Sequence, residues 1–337
     1  MNAGGLRVGV VGLGRIGAFH ARTLVQLDTV SSVTLVDADL ARARSLAEEL
    51  GAQVLATPEE MIATGLDALF VATSTPSHVT LLELAASARL PTFCEKPVAL
   101  DLATLDRVLE AVDRAGILVQ IGFQRRFDAG YRAAHDAVAT GGLGTLLVLR
   151  AATHDPAPPA ADYIATSGGI FRDLHIHDFD AIRFVTGEDV VEVFATGAVR
   201  ETAYFAEHGD VDVAVATLRL SGGSLAVVSG TRRNPLGYDV RLEVLGTGDS
   251  IAVGIDARSP IRSVEPGTLA SQTSGHANFL ERFALAYRDE VATFVETVRC
   301  GGSSRCTLRE ARAALRIALA ADRSREQGRP VSIEEVA

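Results

Sequence analysis

The 337-residue sequence predicts an α/β protein in two parts. The first is a Rossmann-type doubly wound parallel sheet, and the second an α+β region with a mainly antiparallel sheet. Three observations carry this reading. Apolar runs rich in valine and leucine alternate with helical periods over residues 1–123, a G-x-G-x-x-G pattern opens the first helix, and β-rich runs separated by glycine turns fill 190–254.

In order, "LRVGVVG" is a short buried-type strand, "AFHARTLVQL" a helix and "SSVTLVD" a second strand. "LARARSLAEEL" is helical, with Gly51 placed to cap its C-terminus. "LDALFVAT", "LPTFCEK" and "ILVQIGF" are further strands, separated by the helices "SHVTLLELAASA" and "DLATLDRVLEAVDRA". Continuous apolar strands between helices indicate a parallel sheet covered on both faces. From residue 124 the pattern changes. "YRAAHDAVATG" reads as a helix, "TLLVLRAATH" as a strand, and 154–163 as a loop because it holds Pro156, Pro158 and Pro159. The runs "VVEVFATGAVR", "VDVAVATLRL", "GSLAVVSGTRR" and "YDVRLEVLGTGDSIAVG" mostly alternate, as strands of an antiparallel sheet with one outward face do. Helices near 276–299 and 307–326 close the chain. The expected domains are 1–123 and 124–337.

Composition narrows the function classes. Net charge is −10, which disfavours a nucleic-acid surface. No apolar run reaches the roughly 18 residues of a membrane span, and "MNAGGLRVGVVGLG" enters a strand-like run too early to read as a signal peptide. Cys94, Cys300 and Cys306 fit a reduced, cytoplasmic setting better than a disulfide framework, although Cys300 and Cys306 are near enough in sequence to pair. The 32 basic residues are 31 arginines and one lysine, Lys96, inside "TFCEKPVAL".

In "VGLGRIG", Gly12 permits a tight turn, Gly14 lets backbone approach a pyrophosphate and Gly17 lets the helix pack closely. Arg15 and Ile16 lie between the second and third glycines, where the helix N-terminus offers free N–H groups to phosphate. Asp37 ends the second strand 20 residues after Gly17, where a carboxylate accepts from ribose hydroxyls and repels a 2′-phosphate. This favours NAD over NADP, with Arg42 five residues on as a partial counterweight. In "SGGIFRDLHIHDFDAIRFVTG", Asp173 and His177 stand at i,i+4 on an expected helix, the spacing of a carboxylate that orients a general base. A plain surface pair, an N-terminal helix charge, or a metal site through His175 and His177 are the alternatives. No cysteine or Glu-x-x-His pattern supports the metal.

Taken in order, "VGLGRIG", "CEKPVAL", "GFQRRFD", "SGGIFRDLHIHDFD" and "GYDVRLEVLGTGD" resemble the glucose–fructose oxidoreductase/inositol dehydrogenase (Gfo/Idh/MocA) family over most of the chain. The resemblance implies an open C-terminal sheet, a homo-tetramer built through it, and NAD-dependent oxidation of a cyclic polyol, with inositol the expected substrate. Scyllo-inositol, glucose or another sugar, with NAD or NADP, and a non-catalytic NAD-binding sensor remain as alternatives. It also implies that Lys96 is the catalytic lysine, completed by Asp173 and His177, and that Arg126, His154, Asp155 and Tyr238 line the substrate pocket. Thr73, Ser74, Pro76, His78, Glu95, Lys96 and Gln124, with Arg125 beside it, are expected at the cofactor. No metal is required. The family match leaves it open which of His175 and His177 faces substrate. Spacing favours His177.

Overall fold

The computed structural model describes residues 5–266 and 274–336. It divides into two compact units. The first comprises the chain up to Phe127 together with Leu285–Arg312; the second is Asp128–Ala284 with the chain from Ala313.

In the first unit, β1 (Leu6–Val11), β2 (Val30–Val36), β3 (Gln53–Val54), β4 (Ala68–Val71), β5 (Thr92–Glu95) and β6 (Val119–Gly122) form one all-parallel sheet in the order β3-β2-β1-β4-β5-β6. That is the doubly wound dinucleotide order, which reverses direction beside β1 and leaves a crevice at the strands' carboxyl ends. Two of the helices between strands, Leu40–Leu50 and Leu102–Ala115, start on side-chain caps and stop on glycine. Asp39 accepts from the amides of Ala41 and Arg42, Asp101 accepts from Thr104, and Gly51 and Gly116 end their helices in the left-handed region. Val8, Val10, Leu35, Phe70 and Phe93 are fully or almost fully buried in one cluster with Val291, Phe294 and Val295. Those last three belong to the helix Ala284–Cys300. Sequence placed this segment in 124–337, yet its apolar face completes the core of the first unit.

In the second unit, β7 (Leu146–His154), β8 (Val190–Ala198), β9 (Val213–Leu220), β10 (Leu225–Thr231), β11 (Asp239–Gly246), β12 (Ser250–Val253) and β13 (Val331–Ser332) form a seven-stranded sheet in the order β12-β11-β7-β10-β9-β8-β13. Every neighbouring pair is antiparallel except β10 with β7. Buried and exposed residues alternate along β9 and β10, so one face carries the core and the other faces outward. Cys94, Cys300 and Cys306 are all free thiols. Among the described residues no helix is long and apolar enough to cross a membrane.

Candidate active site

The nucleotide cleft of the first unit is built by β1 and the helix it feeds. A side chain at Gly12, whose φ is +88°, would come within 2.6 Å of the Ala72 carbonyl; at Gly17 a Cβ would lie 1.9 Å from the Gly12 carbonyl. Those two glycines are required by close packing of the protein on itself. Gly14 differs, because a Cβ there would meet nothing within 4 Å. It lines a cleft of about 800 Å³, whose wall also includes Asp37, Arg42, Thr73, Ser74, Pro76 and Ser77. Gly14 and Ser74 head the helices Arg15–Leu24 and Thr75–Ser87, and neither supplies a side-chain cap. Gly14 and Ser74 both line the cleft, and the helix after Gly14 turns an N-terminus with no side-chain cap toward it, as a pyrophosphate needs, whereas the helix after Ser74 carries Pro76 and a Ser77 amide already bonded to the Ser74 carbonyl. Asp37 is nearly enclosed. Its Oδ2 accepts from the Leu13 amide at 2.6 Å, and its Oδ1 from the Asp39 amide at 2.7 Å and from Arg42 at 3.3 Å. The residues present fit a dinucleotide. Of the expected cofactor residues, Gly12, Gly14, Asp37, Thr73, Ser74 and Pro76 form this wall, whereas Arg15, Ile16, Gly17, His78, Glu95, Lys96 and Gln124 do not.

His78 is 1% exposed, and its two ring nitrogens lie 2.9 Å from the Pro97 carbonyl and 3.0 Å from the Thr73 carbonyl. It braces the wall from behind. Glu95 ends β5 with its carboxylate 2.7 Å from Nε2 of buried His20. Lys96 follows, half-buried, with a cis bond to Pro97. Gln124 and Arg125 are buried in the short 3-10 helix Gln124–Phe127. Arg126, expected at the substrate, donates to Glu310 at 2.8 Å and to the Arg305 carbonyl at 3.2 Å.

The second unit holds an acidic cluster of its own. Asp173 ends the short helix Ile170–Asp173, and His177 stands in the first turn of Ile176–Thr186. Sequence expected one helix, but Leu174 and His175 form a turn between two. Both stay in right-handed helical dihedrals, so the one-turn offset of Asp173 and His177 survives the break. Asp173 Oδ2 accepts from Arg232 at 2.8 Å, and its Oδ1 accepts from the Tyr163 hydroxyl at 2.7 Å. Arg232 reaches Asp155 with its other terminal nitrogen at 3.0 Å. One guanidinium, 3% exposed, therefore bridges two expected site carboxylates. Burial works against its charge, but Asp173 and Asp155 outweigh that and hold its pKa above the ordinary value. Enclosure of the Tyr163 hydroxyl, together with the Asp173 charge, pushes that phenol up, so it stays a proton donor. Neither Tyr163 nor Arg232 was expected from sequence. Sequence reads Tyr163 as the end of a proline-rich loop, whereas the structure places it in the short helix Ala161–Ser167; Arg232 lies just past a strand, and at neither position does periodicity signal a partner.

His175 is fully buried, stacked on Phe171 and bonded to Asp178 at 3.0 Å. Asp178 in turn accepts from Thr153 at 2.8 Å. Gly230 leaves room for this ring, since a Cβ there would lie 2.4 Å from it. His175 is a core histidine, and half-buried His177 is the accessible one. His154 lies on the face of β7 opposite Thr153, 3.1 Å from Asp239 on β11 and 3.4 Å from Ser229 on β10. These partners are separate from the Asp155–Arg232–Asp173 cluster. Tyr238 is buried, with its amide on the His276 carbonyl and its ring edge-on to Phe283. Among the described residues no group of three or more His, Cys, Asp or Glu side chains is placed to hold a metal.

A glycine-lined parallel-sheet crevice with an acid after the second strand defines a dinucleotide-dependent oxidoreductase. The family model described as "Oxidoreductase family, NAD-binding Rossmann fold" matches residues 6–123, and that of the GFO/IDH/MocA C-terminal domain matches 131–252. The chain belongs to the GFO/IDH/MocA oxidoreductase family, and its first domain is an NAD-binding Rossmann domain. It is 39% identical to the myo-inositol 2-dehydrogenase of Thermotoga maritima over 98% of this chain and 99% of that one. The crystal structure of a probable dehydrogenase from Thermotoga maritima superposes with a TM-score of 0.93 at 38% identity, covering 98% of this chain and 100% of that chain. The scyllo-inositol dehydrogenase of Lactobacillus casei, solved with NAD(H) and scyllo-inositol, is 27% identical, with a TM-score of 0.89 and coverage of 98% and 99%.

Proposed function

We propose that the protein oxidises a secondary alcohol of a cyclic polyol, taking myo-inositol to 2-keto-myo-inositol with NAD. The observation that carries this is the lysine: in a chain with 31 arginines, the one lysine stands in the E-K-P segment of a sequence matched nearly end to end by a myo-inositol 2-dehydrogenase. Bound NAD supplies the hydride acceptor. Lys96 donates to the reacting oxygen and stabilises its developing negative charge. A compact ammonium suits that task, whereas a guanidinium is larger, planar and fixed in charge. A ring nitrogen of His177 takes the hydroxyl proton, and an imidazole with an unperturbed pKa of about 6.5 does so near neutral pH. Asp173 stabilises the imidazolium so formed. Because Arg232 and Tyr163 hold both its oxygens, its orientation is fixed before substrate arrives. Asp155, Arg126, His154 and Tyr238 remain candidates for hydroxyl recognition.

The second reading, scyllo-inositol, is favoured by the likeness to the Lactobacillus casei enzyme. A panel of myo-inositol, scyllo-inositol and glucose with NAD and NADP, followed at the reduced-nicotinamide absorbance, separates these. The decisive variants are Lys96→Arg and His177→Ala. Each is expected to lower kcat/KM by about a hundredfold or more while NADH affinity changes only severalfold. Near-native turnover in either variant removes the assignment. We further assign the protein to the cytoplasm, in keeping with three free thiols, and to a homo-tetramer formed through the outward sheet face.

A further inference from the structure

His78 occupies the first turn of the helix Thr75–Ser87 and touches two functional segments at once. Its Nδ1 lies 2.9 Å from the Pro97 carbonyl, one residue beyond Lys96. Its Nε2 lies 3.0 Å from the carbonyl of Thr73, which lines the nucleotide cleft. Both partners are acceptors only. A neutral imidazole has a single N–H and satisfies one of them at a time; only the imidazolium satisfies both. Burial lowers the pKa of His78, against the pull of both carbonyls and Glu95, and Lys96 adds to the lowering. The ring is therefore a neutral donor shared between two acceptors. On the other side of Lys96, the Glu95 carboxylate is held by His20 at 2.7 Å. There, Gly122 makes room for it, since a Cβ would come within 2.9 Å of Glu95 Oε2. The lysine thus stands on a backbone gripped on both sides, and one of the two grips is shared with the cofactor loop.

We propose that His78 is a positioning residue that couples the nucleotide-lining loop at Thr73 to Lys96 through the Pro97 carbonyl. The proposal rests on the reading of Lys96 as the residue that meets the reacting oxygen. With the ring proton on Nδ1, the Pro97 carbonyl is held and Lys96 is set in place. With it on Nε2, Thr73 is held and the lysine segment is released.

Two conservative variants separate the arms. The amide nitrogen of asparagine falls near the position of Nδ1, and that of glutamine near Nε2, so His78→Asn keeps a donor toward Pro97 and His78→Gln keeps one toward Thr73. In His78→Gln, kcat is expected to fall about tenfold with NADH affinity within about twofold of the parent. In His78→Asn, NADH binding is expected to weaken about fivefold while kcat falls by less than about threefold. A purely structural histidine would move both quantities together. The single lysine supplies a readout without turnover. After reductive methylation with a carbon-13 label, Lys96 and the chain amine give the only lysine-type signals, and the Lys96 signal should move in His78→Gln and hold in His78→Asn. Parallel losses in both variants, or an unmoved Lys96 signal in His78→Gln, overturn the coupling. If the parent does not oxidise inositol yet NADH affinity and the Lys96 signal split as described, the substrate reading fails and the coupling stands.

Discussion

Asp37, the residue proposed to set cofactor choice, carries a charge that is already partly balanced. Its Oδ1 is 3.3 Å from the half-exposed guanidinium of Arg42, which also approaches Asp39 at 3.5 Å. Replacing Asp37 with serine removes the carboxylate that repels a 2′-phosphate and frees Arg42 to meet one. Asp37→Ser is therefore expected to raise the ratio of NADP to NAD kcat/KM by roughly a hundredfold, about 2.7 kcal/mol, as read from paired initial rates. Absolute NAD turnover should fall as well, because the Leu13 amide loses its 2.6 Å acceptor. An unchanged ratio would mean that Arg42 cannot turn to the phosphate. Residues of this kind were legible in the sequence because their chemistry is local: glycines at fixed offsets, an acid at a strand end, one lysine among arginines. Arg232, Tyr163 and the inward role of His78 were not. Each acts through a partner brought near by folding, 59 residues away for Arg232 and Asp173 and 19 for His78 and Pro97.

Helix ends were legible for the same local reason. Gly51 caps where its position foretold, and the break at Leu174–His175 does not disturb the Asp173–His177 offset because the turn remains helical. What sequence did not disclose is how helices share buried charge. Asp322, on the helix Leu308–Gln327, lies 3.1 Å from Arg172 of the helix Ile170–Asp173. Burial raises its pKa to about 6, with Asp210 and Glu326 adding to the rise, against the opposing pull of Arg172 and Arg325. A carboxyl whose folded pKa exceeds its unfolded value favours the fold while protonated. Its contribution is full below about pH 4 and is lost as pH rises through about 6, on the order of 2–3 kcal/mol over that window. Asp322→Asn cannot titrate and still offers Arg172 an acceptor. The difference in Tm, variant minus parent, should therefore grow more positive between pH 4 and pH 7. Thermal melts that stay parallel across that range would show that Arg172 fully compensates the burial.

At the scale of the whole molecule, the alternation of the second sheet was legible, but the sorting of segments into units was not. The chain returns to the first unit at Leu285 because the amphipathic helix Ala284–Cys300 offers Val291, Phe294 and Val295 to a core built more than 190 residues earlier, and periodicity tells which face is apolar without telling what it meets. The outward sheet face poses the same question between copies. Phe194 on β8, Val215 on β9, and Leu225 and Val227 on β10 are 41%, 38%, 52% and 37% exposed. Register aligns Phe194 with Thr217 and Thr217 with Val227, so these side chains form a continuous stripe across neighbouring strands. The ion pair Arg219–Glu192 joins β9 to β8, and Arg150–Glu243 joins β7 to β11. A stripe of this kind is the feature on which the proposed self-assembly through this face rests, and in a twofold self-interface each residue near the axis faces its own copy. A glutamate introduced there meets another glutamate with little water to screen it, which costs several kcal/mol per interface. If the proposed tetramer forms through this face, Val227→Glu converts it to smaller species at micromolar concentration, seen by size-exclusion chromatography with light scattering, while NADH binding persists because the nucleotide cleft lies wholly within the first unit. A parent that is already monomeric at that concentration, or a variant that stays tetrameric, would place the assembly surface elsewhere or remove it.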